Sequence, residues 1–296
     1  MINQNNKIVN DFNIIFFGTP DFAVPALGAL IKANYNVVAV FTQPDKSVGR
    51  KRVLSPPPIK LEAENLRLKV SQPKTLKDDE VFEEFNSLNP DICVIAAYGK
   101  IIPKRYLDVP KYGFINTHPS LLPKYRGPSP IQTAILNGEK ETGVTIMVVD
   151  EEVDHGKIVS SIKYQVLRDK NYKEVEGDLA RLGAKLLIET LPKYVSGDIQ
   201  PTEQDHRQAT FTKKFLRENG HINWNEPTVG IYDKIRALNP EPGAWTTWKS
   251  KILNIKKAEL HDGKLNIQTI QMEGKKEMPF QEFLNGYPDF DISQLK

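Results

Sequence analysis

The chain has 296 residues, 40% hydrophobic and 26% charged, with a formal net charge of +3. That length allows two domains with a sizeable core, and the composition fits a soluble globular protein. Near-neutral charge excludes nucleic-acid binding through global basicity, so a basic surface must be local, and the single cysteine, Cys93, excludes an internal disulfide.

Cys93 sits between Ile92 and Val94 and reads as a buried strand position in a protein of the reducing cytoplasm. No apolar run approaches the ~20 residues needed to span a bilayer. The polar opening MINQNNKIVNDFN lacks the apolar centre of a secretory leader. Neither membrane nor secretion is expected.

Taken in order, Asn13–Gly18 is a short apolar run ending in glycine, the pattern of a buried strand. Thr19-Pro20-Asp21 opens a helix, with Pro25 in its first turn. Val37–Phe41 is a second strand. Gln43 to Arg52 is punctuated by Pro44 and Gly49 and reads as a loop. Ile59–Asn65 and Asp78–Leu88 read as helices, Val70–Gln72 as a short strand between them. Ile92–Ala97 and Phe114–Thr117 are strands, Pro130–Asn137 a helix. Thr142–Val149 and Ile158–Val166 alternate as strands do, and Tyr172–Leu191 has helical spacing. Strands alternating with helices predict an α/β fold: a mostly parallel, Rossmann-like sheet flanked by helices. The stretch from Tyr194 to His206 is polar and turn-rich. Beyond it come one helix, Val229–Leu238, and alternating pieces at Gly243–Trp248, Lys251–Ala258 and Leu265–Gln271, which predict a small β domain. The expected boundaries are 1–192 for the first domain, 193–210 for a linker and 211–296 for the second.

The chemistry concentrates in FINTHPSLLPKYRGPSPIQ, Phe114–Gln132. In an open α/β sheet, ligands bind beyond the carboxyl ends of strands, and this stretch ends one. If the strand persists through Asn116 and His118, the two side chains share a face. An imidazole exchanges protons near neutral pH, and an amide N–H steadies an oxygen gaining charge. A carboxylate is offered by Val148-Val149-Asp150-Glu151-Glu152-Val153-Asp154-His155-Gly156. Glu151 and Glu152 read as solvated charge and His155 as a turn residue. Asp154, before a tight turn, is placed to orient an imidazole or accept a proton. The five histidines, at 118, 155, 206, 221 and 261, show no ligand spacing, so no metal is expected. Gly18-Thr19-Pro20 is not a dinucleotide fingerprint, and no phosphate-binding Gly-Lys motif occurs. Lys46, Arg50, Lys51 and Arg52 crowd the Gln43–Arg52 loop. A solvated loop is the plain explanation, yet on this sheet edge the same charges suit a phosphate backbone. Lys213, Lys214, Arg217, Lys234, Arg236, Lys249, Lys251, Lys256 and Lys257 scatter further charge over the small β domain.

Asn116-x-His118-x-Ser120-Leu121-Leu122-Pro123 with Tyr125-Arg126-Gly127 resembles the signature of the folate-dependent formyltransferases. Gly143–Met147 with Asp154-x-Gly156 resembles their second signature. Phe17–Ala23, Thr42–Asp45 with the basic loop, and Ile235–Pro240 with Gly243 and Trp245 resemble the branch that formylates methionyl-tRNA. The resemblance implies 10-formyltetrahydrofolate as donor and the amino group of initiator methionyl-tRNA as acceptor. It implies Asn116, His118 and Asp154 as the catalytic set, with no metal and no covalent intermediate. It implies a folate pocket lined by Ala96, Ala97, Tyr98, Gly99, Ile101, Ser120, Leu121, Leu122 and Pro123. Lys46, Arg50, Lys51 and Arg52 become an arm into the acceptor stem, and the second domain an OB-like barrel that holds tRNA. Nothing demands more than a monomer. The acidic loop departs from the family's pattern at Glu152 and His155, where glycine and threonine are common.

Rival readings are a formyltransferase acting on an amino sugar nucleotide, a formyltetrahydrofolate hydrolase, a non-catalytic RNA-binding protein and a nucleotide-dependent dehydrogenase. The first keeps the catalytic set without needing the basic loop. The second usually carries an extra N-terminal domain. The third makes Asn116, His118 and Asp154 dispensable, and the fourth lacks its glycine fingerprint.

Overall fold

In the computed structural model of the protein, which describes residues 12–48, 53–292 and 295, the first apolar run forms β1 (Asn13–Gly18). All but its first residue are buried, because a parallel strand covered on both faces leaves no side for water. The chain continues through α1 (Val24–Lys32), β2 (Asn36–Phe41), β3 (Lys46–Val48), β4 (Val53–Ser55), α2 (Pro58–Asn65) and β5 (Val70–Ser71). Next come α3 (Asp79–Ser87), β6 (Ile92–Ala96), α4 (Lys104–Leu107), β7 (Phe114–His118) and α5 (Pro130–Leu136). β8 (Glu141–Val148), β9 (Ile158–Gln165) and the long α6 (Tyr172–Ser196) follow.

The main sheet has seven strands in the order β5-β2-β1-β6-β7-β8-β9. β1 is parallel to β2 and β6, β2 to β5, and β6 to β7, while β8 runs antiparallel to β7. The mostly parallel α/β sheet predicted above is therefore borne out. The chain winds outward from β1 through β2 to β5, then returns to β6 on the other side of β1. The strand order reverses between β1 and β6, where Gly18 lies opposite Ala96. Such a switch point opens a crevice at the carboxyl ends of the strands.

Two expectations change. Part of the Gln43–Arg52 loop is strand: β3 pairs antiparallel with β4, Lys46 opposite Ser55 and Val48 opposite Val53. Three residues are too few for alternation to register in a sequence, and the basic run between the strands hides the pairing. The helix expected to end at Leu191 runs on to Ser196 with Pro192 inside it.

The chain clusters into two compact units, the first comprising residues up to 127, 143–164 and 177–211, and the second 128–142, 165–176 and 212 onward. In the first, Phe17, Phe41, Phe85, Tyr98, Tyr106 and Phe114 form an aromatic core. The Phe17 centroid lies 5.0 Å from that of Phe41 and 5.2 Å from that of Tyr98. Full burial of such a side chain contributes about 1.5–3 kcal/mol. α6 covers β7 closely: a Cβ at Gly183 would lie 2.7 Å from Thr117 Cγ2. This packing fixes from behind the strand that carries Asn116 and His118.

In the second unit, α7 (Thr228–Leu238) precedes a four-stranded antiparallel sheet of β10 (Ala244–Trp248), β11 (Lys251–His261), β12 (Lys264–Met272) and β13 (Met278–Pro279), in that order. α8 (Phe280–Gly286) completes it, with Phe283 in a core that includes Ile231, Ile235, Trp248, Ile255 and Ile270. Arg236 is not a surface charge. It is 5% exposed, pairs with Asp233 at 2.8 Å, and donates to the carbonyls of Leu167 and Lys170. Lys234, also read as scattered surface charge, lies against Glu226 and the His221 carbonyl.

Candidate active site

β7 extends through His118, so Asn116 and His118 stand on one face of the strand. Asp154 reaches them from the loop after β8. Its Oδ1 lies 3.4 Å from Asn116 Nδ2 and 3.6 Å from His118 Nδ1. The amide, imidazole and carboxylate thus meet at one oxygen. The site is largely dry: the side chains of His118 and Asp154 are 5% and 14% exposed. Low exposure strengthens every charge interaction made there.

The backbone supplies the frame. His118 Nε2 lies 3.0 Å from the Tyr125 carbonyl oxygen. A carbonyl only accepts, which assigns the proton to Nε2 and leaves Nδ1 facing Asp154. The Gly127 N–H donates to Asp154 Oδ2 at 2.8 Å. Tyr125 and Gly127 lie in the left-handed region, with φ of 62° and 107°, so this turn aims a carbonyl at the imidazole and an N–H at the carboxylate. The turn is stitched from both ends. Thr145 Oγ1, opposite His118 on β8, donates to the Ser120 carbonyl and accepts from the Leu122 N–H. The Tyr125 N–H donates to Thr210 Oγ1, and the Arg126 N–H to the Thr210 carbonyl. Ser120 is fully buried and donates to the Lys124 carbonyl at 2.6 Å.

Asp154 itself is left-handed, with φ of 51°, a conformation that costs a non-glycine residue about 1–3 kcal/mol. Gly156 follows because a Cβ there would drive into the Val148 carbonyl oxygen. At the two positions where the sequence departs from the family pattern, the loop is held by other means. His155 Nδ1 pairs with Asp150 Oδ2 at 2.7 Å, and its ring stacks on His206 with centroids 4.2 Å apart. Glu152 is exposed, and its N–H donates to Asp150 Oδ1.

The residues expected to line a folate pocket divide by burial. Ala96 closes β6 and is fully buried, while Ala97, Gly99 and Ile101 are exposed. Tyr98 contributes backbone only: its ring sits in the aromatic core, and its carbonyl accepts from Thr19 Oγ1 at 3.0 Å and Gln43 Nε2 at 2.9 Å. The Tyr98 carbonyl therefore ties the ends of β1, β2 and β6 together. Ser120 and Leu122 are buried, and Leu121 and Pro123 are half-buried.

Lys46 donates to Gln43 Oε1 at 2.6 Å. Asp45 beside it pairs with Lys60 and accepts from Gln72, and Gln72, followed by Lys60, holds its carboxyl below the usual range. Burial holds the Lys100 ammonium below its ordinary value, and the Lys46 charge adds to the effect. Of the four basic residues expected to meet the acceptor stem, Lys46 is exposed on β3, whereas Arg50, Lys51 and Arg52 lie outside the described residues. Among the described residues no cluster of three or more His, Cys, Asp or Glu side chains is placed to hold a metal ion. No described helix is long and apolar enough to cross a membrane.

Sequence reasoning missed Gln204, which is 4% exposed. Its Nε2 donates to the carbonyls of Asp154 and Gly156, and its Oε1 accepts from Arg126. A glutamine in a polar, turn-rich stretch carries no periodicity that could mark it.

Residues 12–191 match the formyl transferase family model, and residues 214–265 match that of the formyl transferase C-terminal domain. A methionyl-tRNA formyltransferase from Halalkalibacterium halodurans is 41% identical over an alignment covering 92% of this chain and 94% of that protein. The chain belongs to the methionyl-tRNA formyltransferase family. A solved member of this family, from Clostridium thermocellum, shares the fold with a TM-score of 0.61 at 21% identity, covering 88% of this chain and 98% of its own. An N-formyltransferase from Helicobacter canadensis, solved with folinic acid and dTDP-3-aminofucose, gives a TM-score of 0.66 at 22% identity, covering 84% of this chain and 88% of its own. At these identities the two structures speak for the fold that the family shares.

Proposed function

We propose that this chain, as a cytoplasmic monomer, transfers the formyl group of 10-formyltetrahydrofolate to the free amino group of initiator methionyl-tRNA. The observation that carries the reading is the meeting of Asn116 and His118 at one carboxylate oxygen of Asp154, in a chain that matches a methionyl-tRNA formyltransferase over nearly its whole length.

The neutral amine of the methionyl group attacks the formyl carbon, a C–N bond forms, and the carbonyl oxygen becomes negative. One N–H of Asn116 faces Asp154, and the other is free to donate to that oxygen. His118 keeps its Nε2 proton on the Tyr125 carbonyl, so Nδ1 is the nitrogen that exchanges protons. Neutral, it takes the proton that the amine sheds. Protonated, it faces Asp154, whose charge stabilises the imidazolium, and it returns the proton to the departing folate nitrogen as the old C–N bond breaks. Asp154, locked by Gly127, orients the imidazole and balances its charge. Ala97 and Gly99, both exposed and left-handed with φ of 50° and 78°, offer their backbone to the pterin. Lys46, Arg50, Lys51 and Arg52 meet the phosphates of the acceptor stem.

Formyl transfer from 10-formyltetrahydrofolate to initiator methionyl-tRNA tests this reading, with wild type beside His118→Ala and Arg50→Ala/Arg52→Ala. Losing a positioned base costs about 10²–10⁴-fold, so His118→Ala should be nearly inert. The double arginine variant should lose affinity for tRNA with kcat retained. An active His118→Ala enzyme would refute the assignment of the imidazole.

A further inference from the structure

Gln204 uses all of its hydrogen-bonding capacity inside the protein. Its Oε1 accepts from Arg126 Nε at 3.2 Å and Nη2 at 2.7 Å. Its Nε2 donates to the Asp154 carbonyl at 3.0 Å and the Gly156 carbonyl at 2.7 Å. A guanidinium only donates and a carbonyl only accepts, so the amide has one orientation. The two carbonyls bracket the segment in which Asp154 is left-handed and Gly156 passes under Val148. The guanidinium belongs to the residue between the Tyr125 carbonyl that orients His118 and the Gly127 N–H that orients Asp154. Arg126 is 3% exposed, and its Nη2 also lies 2.8 Å from His206 Nδ1. One buried amide thus clamps the loop that supplies the carboxylate to the turn that aligns the imidazole.

We propose that Gln204 is a positioning residue for the formyl-transfer reaction, setting the Asp154 carboxylate against His118 and Asn116 through the Asp154 and Gly156 carbonyls and the Arg126 guanidinium. The proposal rests on the functional reading given above. It makes the segment 204–210, which looks like a plain connector in the sequence, the backing of the active site. Thr210 stitches the same turn six residues further along. Gln204 touches no substrate. Its effect travels through the geometry of Asp154, and a displacement of about 1 Å at a reacting group can cost on the order of 100-fold in rate.

A double-mutant cycle separates this role from a general structural one. Wild type, Gln204→Leu, Asp154→Asn and the double variant are assayed for kcat and for KM of each substrate, with melting curves as a fold control. Gln204→Leu should lower kcat by about 10- to 100-fold with both KM values within about twofold. In the Asp154→Asn background the same substitution should change kcat less than about twofold, because the group it positions no longer functions. An equal fold-loss in both backgrounds, or a loss confined to KM, would overturn the proposal. If the leucine variant does not fold, Gln204→Glu serves, since it keeps the Arg126 contact but turns an oxygen toward both carbonyls. Hydrogen exchange supplies a readout independent of activity: amides of residues 150–156 should exchange faster in the variant, and unchanged protection would also overturn the proposal. If wild type fails to formylate methionyl-tRNA, the functional reading is what fails, and the exchange comparison still decides the clamp.

Discussion

Replacing Asn116 by alanine separates the chemistry of the site from its architecture. The backbone pairing of β7 does not depend on the side chain, because Asn116 lies opposite Ile95 and Met147 through main-chain registers. The one side-chain hydrogen bond it makes among the described residues, to Asp154, is long at 3.4 Å. Its loss should lower stability by less than about 1 kcal/mol. In the proposed transition state the same amide faces a developing negative charge, and removing one such donor costs about 2.7–4 kcal/mol, or 10²–10³ in kcat. Steady-state kinetics on methionyl-tRNA, together with a urea titration, checks both numbers. The expected result is a kcat lowered by two to three orders of magnitude, KM for both substrates little changed, and a nearly native midpoint. A kcat within about tenfold of wild type, or a rise in KM alone, would show that Asn116 binds substrate without stabilising the developing charge.

Three further outcomes follow from the structure. Gly156→Ala should unfold or severely destabilise the protein, because the new methyl collides with the backbone carbonyl of Val148; Gly274→Ala, where nothing lies within 4 Å of the added carbon, should cost only about 1 kcal/mol for its left-handed φ, as read by thermal melting. Asp233→Ala should cost about 3–5 kcal/mol by stranding the Arg236 guanidinium in the core, and adding Arg236→Met should recover part of that loss in chemical denaturation. Burial pushes the Tyr106 phenol up to about 12, above the ordinary tyrosine range. The folded state therefore keeps a proton that the unfolded chain releases near pH 10, so stability is intact below that pH and falls as pH rises toward 12. Burial raises other tyrosines too, Tyr98 among them, so spectrophotometric titration should show one fewer late-ionising tyrosine in Tyr106→Phe than in wild type; an unchanged late-ionising amplitude would assign the shift elsewhere.

Much of the fold and of the candidate site was legible because its signals are local. Ile14–Phe17, Val37–Phe41 and Ile92–Ala96 are apolar on both faces, and only strands covered on both sides of a parallel sheet require that. Asn116 and His118 could be placed together from the period of a strand alone. What escaped depends on residues far apart in sequence. Gln204 is bound to carbonyls some fifty positions away, and nothing near it announces them. Arg236 reads as helix-surface charge until Asp233 and the carbonyls of Leu167 and Lys170 surround it. β3 and β4 are too short for their alternation to outweigh the basic residues between them. The departures at Glu152 and His155 were visible, but their consequence was not. The His155 ring is held by Asp150 and His206, and the latter pairing exists only in three dimensions.

The acceptor is decided most directly by a competition in one reaction vessel. 10-Formyltetrahydrofolate is supplied with initiator methionyl-tRNA and an amino sugar nucleotide, and the formylated products are quantified together. Formyl is expected on methionyl-tRNA and essentially none on the sugar, with His118→Ala forming neither product. Formyl carried mainly by the sugar nucleotide would keep the Asn116–His118–Asp154 chemistry and contradict the assigned acceptor.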